Sequence, residues 1–211
     1  RSFPGRTPRK LAHPMGRLGA KGSDIVAEIH YVATGKPERD RSTLGLNFAR
    51  PSARQVVAEV QVGNREIEIP AGEARHHERA SYTLPVDTTL MDLIPHMHVL
   101  GREIKVWSKA PDGTAKPLLW IKDWDFNWQG QYAFAKPIRL PKGTRLIVDA
   151  WYDNSTENSL NPNSPPLTVR WGDDSTDEML LCHFQCTCET VDELRELVAH
   201  QREYIADAKS R

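Results

Sequence analysis

The chain has 211 residues, enough for one large or two small domains around a real hydrophobic core. Lys plus Arg and Asp plus Glu both number 28, so no basic excess points to nucleic acid and no acidic excess to a chaperone-like partner. Hydrophobic residues make up 39%, and no apolar run approaches the roughly 18 residues of a membrane span. The chain opens on Arg1 without Met or signal peptide, which fits a removed leader or a piece of a longer product. Its three cysteines, Cys182, Cys186 and Cys188, form one odd-numbered cluster rather than a disulfide framework, so they do not set the compartment.

Residues 1–22 are rich in Pro, Gly and Arg and predict irregular structure. "SDIVAEIHYVA" (23–33) predicts a strand, and the polar "TGKPERDRS" (34–42) a loop or linker. From there short strand-like runs alternate with turns: "STLGLNFA", "RQVVAEVQV", "REIEIP", "ASYTLP", "TTLMDLIPHMHVL", "REIKVWSKA", "KPLLWIKDW", "QYAFAKPIRL", "TRLIVDAWYD" and "LTVRW". Asp112-Gly113 marks a hairpin tip between two of them. Turns every ten residues or so predict an all-β chain, an antiparallel sandwich or barrel. The adjacent His76 and His77 fall between two strand runs and read as a surface turn. Near the end, Val191, Leu194, Leu197, Val198 and Ile205 recur at helical spacing behind a Thr190-x-x-Glu193 capping box. That helix packs on the sandwich or binds a partner.

Within "LIPHMHVLG" (93–101), His96 and His98 stand two apart in a strand pattern. Side chains at i and i+2 share a strand face. Both imidazoles then point one way and Met97 the other, which lets a strand give two nitrogen ligands to one metal. Alone, the pair reads equally as a packed structural feature. The same parity places Met179, Leu181 and His183 on one face and the three even-numbered cysteines on the other. Cysteines two apart on one strand face bridge poorly, and Cys182 reads as core packing. The aromatics Trp120, Trp124, Phe126 and Trp128 read as sandwich packing or as the lining of a groove. Asn154-Ser155-Thr156 is a glycosylation sequon only in a secreted eukaryotic protein.

The order "HMHVLG", "DFNWQ", "LPKGTRL", "YDNS" and "VRWGDDSTDEM" resembles the C-terminal domain of the copper type II, ascorbate-dependent monooxygenases, the family of peptidylglycine α-hydroxylating and dopamine β-monooxygenases. The resemblance runs from about Ser23 to about Phe184. It implies a jelly-roll sandwich at 36–188, the end of a first, incomplete β-domain at 1–35, and the helix at 189–211. It further implies that His96, His98 and Met179 hold an oxygen-activating copper, and that His30 in "EIHY" helps hold a second, electron-delivering copper. The remaining ligands of that second metal have no counterpart in this chain. A soft thioether favours Cu(I) while imidazole serves both oxidation states, so the residue types suit a redox copper.

Peptide-amidating members hold the substrate carboxylate with an arginine and a tyrosine where this chain has Ile94 and His183. An apolar Ile94 cannot pair with a carboxylate, so the resemblance implies another substrate, with His183 as a substrate contact, proton carrier or extra ligand. The expectation is hydroxylation of a C–H bond with O2 and a reductant such as ascorbate, on a small-molecule substrate, in the periplasm or outside the cell. An N-terminal half or another subunit would supply the missing ligands. The alternative is a non-catalytic subunit with one copper, serving binding or electron transfer in a larger complex.

Overall fold

The computed structural model describes residues 11, 14–17, 19, 21–26, 29, 31, 35–50 and 55–210, without the side chains of 209 and 210. Its elements are β1 (Met15–Gly16), β2 (Gln55–Val56), β3 (Ala58–Asn64), β4 (Glu68–Ile69), β5 (His76–Thr83), β6 (Thr88–His96), β7 (Gly101–Lys109), β8 (Ala115–Ile121), β9 (Tyr132–Leu140), β10 (Arg145–Tyr152), β11 (Val169–Arg170), β12 (Leu180–Thr187) and α1 (Val191–Ser210). Two four-stranded antiparallel sheets, ordered β3-β12-β6-β9 and β5-β10-β7-β8, form the body. The short pairs β1-β2 (parallel) and β4-β11 (antiparallel) flank them. The chain is an all-β sandwich with one C-terminal helix, the fold class that its strand and turn pattern predicts.

The core forms where strand alternation points apolar side chains inward. Val60, Leu93 and Phe184 from one sheet and Val106, Leu146 and Val148 from the other are fully buried in one cluster. Pairing is in register: Phe184 lies opposite Val60 on one side and Leu93 on the other. Cys182 and Cys186, four apart on β12, share the strand face that points into this core. Burial pushes the Cys182 thiol well above its usual range, and Cys188, half-buried, up to about 11. All three cysteines are free. The β7–β8 hairpin turns at Asp112-Gly113 as expected, with Gly113 at φ 88°.

Helix α1 starts at its capping box. Thr190 N–H donates to Glu193 Oε2 at 2.9 Å and Glu193 N–H to Thr190 Oγ1 at 3.2 Å. Leu194 and Leu197 enter the core. Gln201 Nε2 donates to the Gln61 carbonyl, and the Tyr204 hydroxyl accepts from Gly63 N–H and donates to its carbonyl. The helix therefore covers edge strand β3 and occupies backbone groups that an exposed edge would leave open. Among the described residues no helix is long and apolar enough to cross a membrane.

Three sequence expectations differ from the structure. "STLGLNFA" forms no strand; Leu44, Leu46 and Phe48 are exposed, and among the described residues no strand pairs with the run. The described residues of 23–33, namely 23–26, 29 and 31, also lie outside any strand. His76-His77 opens β5 instead of forming a turn: His76 donates to Glu78 Oε1 and His77 to Asp149 Oδ1. The first two have strand-like composition without a partner, and a strand without a partner is not a stable element.

Candidate metal centre

His96 ends β6 and His98 lies two residues beyond it. Their rings stand 5.1 Å apart, nearly perpendicular, and both residues are buried. Met97 between them points into the core and is fully buried, as the alternation predicts. The chain then turns back into β7 at Gly101. A Cβ there would meet Met97 Cε at 2.9 Å and Trp124 Cδ1 at 3.0 Å. The glycine of His-x-His-x-x-Gly thus allows a close backbone approach beside the histidines.

Each histidine is oriented through Nδ1. His98 Nδ1–H donates to the Asp177 carbonyl at 3.0 Å. His96 Nδ1–H donates to Gln129 Oε1, and Gln129 is itself aimed by its Nε2–H to the Phe126 carbonyl at 2.9 Å. Both acceptors can only accept, so in its neutral form each ring carries its lone pair on Nε2, the tautomer and outer support typical of metal-ligating histidines. Burial lowers the His98 pKa below the usual histidine value and favours the neutral, ligating form. The Phe126 ring meets His98 edge-on with centroids 6.0 Å apart.

The buried Met179 stands just before β12, the strand that pairs with β6. Leu181 pairs with His96 at the end of the β12–β6 ladder, and beyond it the backbones of Met179 and His98 are joined through one side chain. The fully buried Glu178 joins them. Its Oε2 accepts from His98 N–H at 2.8 Å and Met179 N–H at 3.1 Å, and its Oε1 from Leu100 N–H at 2.7 Å. Tyr152 adds a hydrogen bond to the Met179 carbonyl at 2.9 Å. Burial pushes the Glu178 carboxyl up to about 8, against the opposing pull of these backbone donors. The sequence pattern by itself gives Glu178 no part; two consecutive acidic residues before a methionine, Asp177 and Glu178, are its local signal.

His183 and Ile94 sit opposite each other across β12 and β6, on the sheet face that carries His96, and both are buried. His183 leans toward β3: its Nδ1–H donates to Glu59 Oε1 at 3.1 Å. Its Nε2 is buried with no hydrogen-bond partner among the described residues. The hydrogen bond from His183 holds the Glu59 carboxyl down at about 2. Gln185 and Asp92 continue the same face, with Gln131 Nε2 donating to Asp92 at 2.6 Å. His30 lies outside the described residues.

The four aromatics split up. Trp124 joins the core, Phe126 touches His98, and Trp120 and Trp128 are exposed. Asn154 is fully buried and its Nδ2 donates to the carbonyls of Ile69, Pro70 and Leu167, so the sequon cannot carry a sugar in this fold. Among the described residues no group of three or more His, Cys, Asp and Glu side chains is placed to hold a metal; a His/His/Met set draws its third ligand from outside those types. No protein-family model matches the chain, and no curated protein is significantly similar to it.

Proposed function

We propose that this chain is a copper-dependent monooxygenase domain that hydroxylates a C–H bond with O2 and a reductant such as ascorbate. His96, His98 and Met179 would hold the metal. One observation carries the reading: a single buried carboxylate, Glu178, binds the backbones of His98 and Met179 together across 80 residues of chain. Beside that junction stand two histidines whose Nδ1 atoms are already committed. Two imidazoles and a thioether fit copper in both oxidation states. When bound there, copper would supply the one-electron redox chemistry by which one atom of O2 enters the C–H bond and the other leaves as water.

The chain's own residues orient and shield. Asp177 and Gln129 hold the imidazoles in one tautomer, Phe126 and Ile94 exclude water, and His183 presents a buried ring nitrogen on the same sheet face. A buried, apolar Ile94 favours a substrate without a carboxylate at that point. The strand order supports the finer jelly-roll reading. Counting the eight long strands in chain order, one sheet runs first, eighth, third, sixth and the other second, seventh, fourth, fifth. Two wrapped Greek keys produce that order.

The test is copper content with electron paramagnetic resonance on the wild-type chain and on His98→Ala, together with ascorbate-driven O2 uptake. The expected result is bound copper, lost in His98→Ala, with O2 consumption in the wild type. Copper without turnover favours a binding or electron-transfer subunit. Absence of copper in the wild type overturns both readings.

A further inference from the structure

The second sheet has an open outer face. Residues opposite each other on neighbouring strands share a face. One cross-strand row reads Arg79, Asp149, Lys105, Trp120; the next on one side has Ile147 and Trp107, and on the other His77, Trp151 and Glu103. Leu146, Val148 and Ala150 alternate with these on β10 and fill the core, so the rows point outward. Three tryptophans from three adjacent strands therefore stand on one face. Trp120 is 51% exposed, and Trp107 and Trp151 are partly exposed.

These indoles are held in place. Trp107 Nε1–H donates to Asp149 and Trp120 Nε1–H to Glu103, both at 2.7 Å. Cations lie over the rings: Arg79 on Trp107, Arg75 on Trp151, and Lys122 on Trp120 at 4.2 Å with Lys105 at 5.3 Å. Arg75 and Arg79 also pair with Glu103 and Asp149. Lys105, Lys122 and Arg145 add positive charge beyond those pairs, on a chain whose total charge is zero.

We propose that this face binds an anionic polysaccharide, a chain of uronic-acid sugars. The flat C–H face of a pyranose ring lies on the exposed part of Trp120, its carboxylate meets Lys105 and Lys122, and sugar hydroxyls donate to Glu103. Three features select this ligand. Rigid, pre-set aromatic surfaces suit a stiff ring polymer, which loses little freedom on docking. Glu103, within the platform, accepts from ring hydroxyls, which a uronic-acid chain offers on every unit and an oligothymidylate does not. Edge strand β8 carries Pro117, which offers no N–H, so a peptide is poorly placed to add there as a further strand. The face belongs to the sheet that does not carry His96, so the inference does not depend on copper.

The experiment is calorimetric titration of the full chain with a polygalacturonate fragment at low and high salt. The expected result is salt-sensitive binding that weakens about tenfold in Trp120→Ala. Lys122→Ala, an exposed change that leaves the fold alone, weakens binding and flattens its salt dependence. Fully methyl-esterified polygalacturonate, which has the same rings without the charge, binds more weakly. The proposal is overturned if polygalacturonate does not bind, if both variants bind like wild type, if the esterified polymer binds equally well, or if an oligothymidylate of equal length binds more tightly.

Discussion

The two sheets turn opposite kinds of outer face to their surroundings. On β3-β12-β6-β9 the face carries His183, Asp92 and His96 under cover, with Glu59 at its exposed margin and loop residues Gln129 and Gln131 bonded to His96 and Asp92. On β5-β10-β7-β8 it carries tryptophans and cations in the open. Polar groups out of water must find partners, and each partner fixes an angle and a tautomer. The covered face therefore becomes a specified geometry, suited to holding an ion. The open face keeps its lysines hydrated above the buried Asp149, so each of their contacts is individually weak and the whole array suits a large, charged surface.

That contrast predicts an unequal response to mutation. The largest effect is expected for Glu178→Ala, which leaves the buried N–H groups of His98, Leu100 and Met179 without an acceptor; a loss of about 3 kcal/mol or more in urea denaturation follows. Gly101→Ala presses a methyl group against Met97 and Trp124 and costs about 1–3 kcal/mol in the same measurement. On the open face, Asp149→Ala frees His77, Arg79 and Trp107 at a cost of about 1 kcal/mol. Lys105→Ala, at the surface, changes stability by less than about 0.5 kcal/mol. A loss for Lys105→Ala as large as that for Glu178→Ala would erase the distinction between the faces.

Acidity sharpens it further. The Glu178 carboxyl is raised from 4.5 to about 8 in the fold. The folded state then binds the extra proton, so this contribution is complete below pH 4.5 and is lost as pH rises through 8. Glu59 is lowered from 4.5 to about 2, so its contribution is present above pH 4.5 and is lost as pH falls toward 2. Thermal unfolding of the metal-free chain should lose the alkaline slope in Glu178→Gln and the acid slope in Glu59→Gln. Unchanged slopes in both variants would remove these carboxyls as the cause.

Much of this was legible in the residue order, because its signals are local. The β7–β8 hairpin follows from Asp112-Gly113, the start of α1 from Thr190 and Glu193, and the opposed directions of His96 and Met97 from strand alternation. Cys182 and Cys186 in the core follow from the same parity. Sequence alone determined these because a turn, a cap or a period of two is decided by residues within a few positions of each other.

Tertiary structure decided the rest. Leu44, Leu46 and Phe48 have a strand's alternation, yet no strand among the described residues pairs with them. Nothing in "DEM" tells that Glu178 binds the backbone of His98, and nothing in "LCHF" tells that Glu59 on a neighbouring strand aims His183. A strand exists only when another completes its hydrogen bonds, and a buried carboxylate is tolerated only where distant N–H groups converge on it. Those conditions are met by chain segments about 80 or more residues apart, which is why the junction of His98 with Met179 belongs to the fold rather than to any motif.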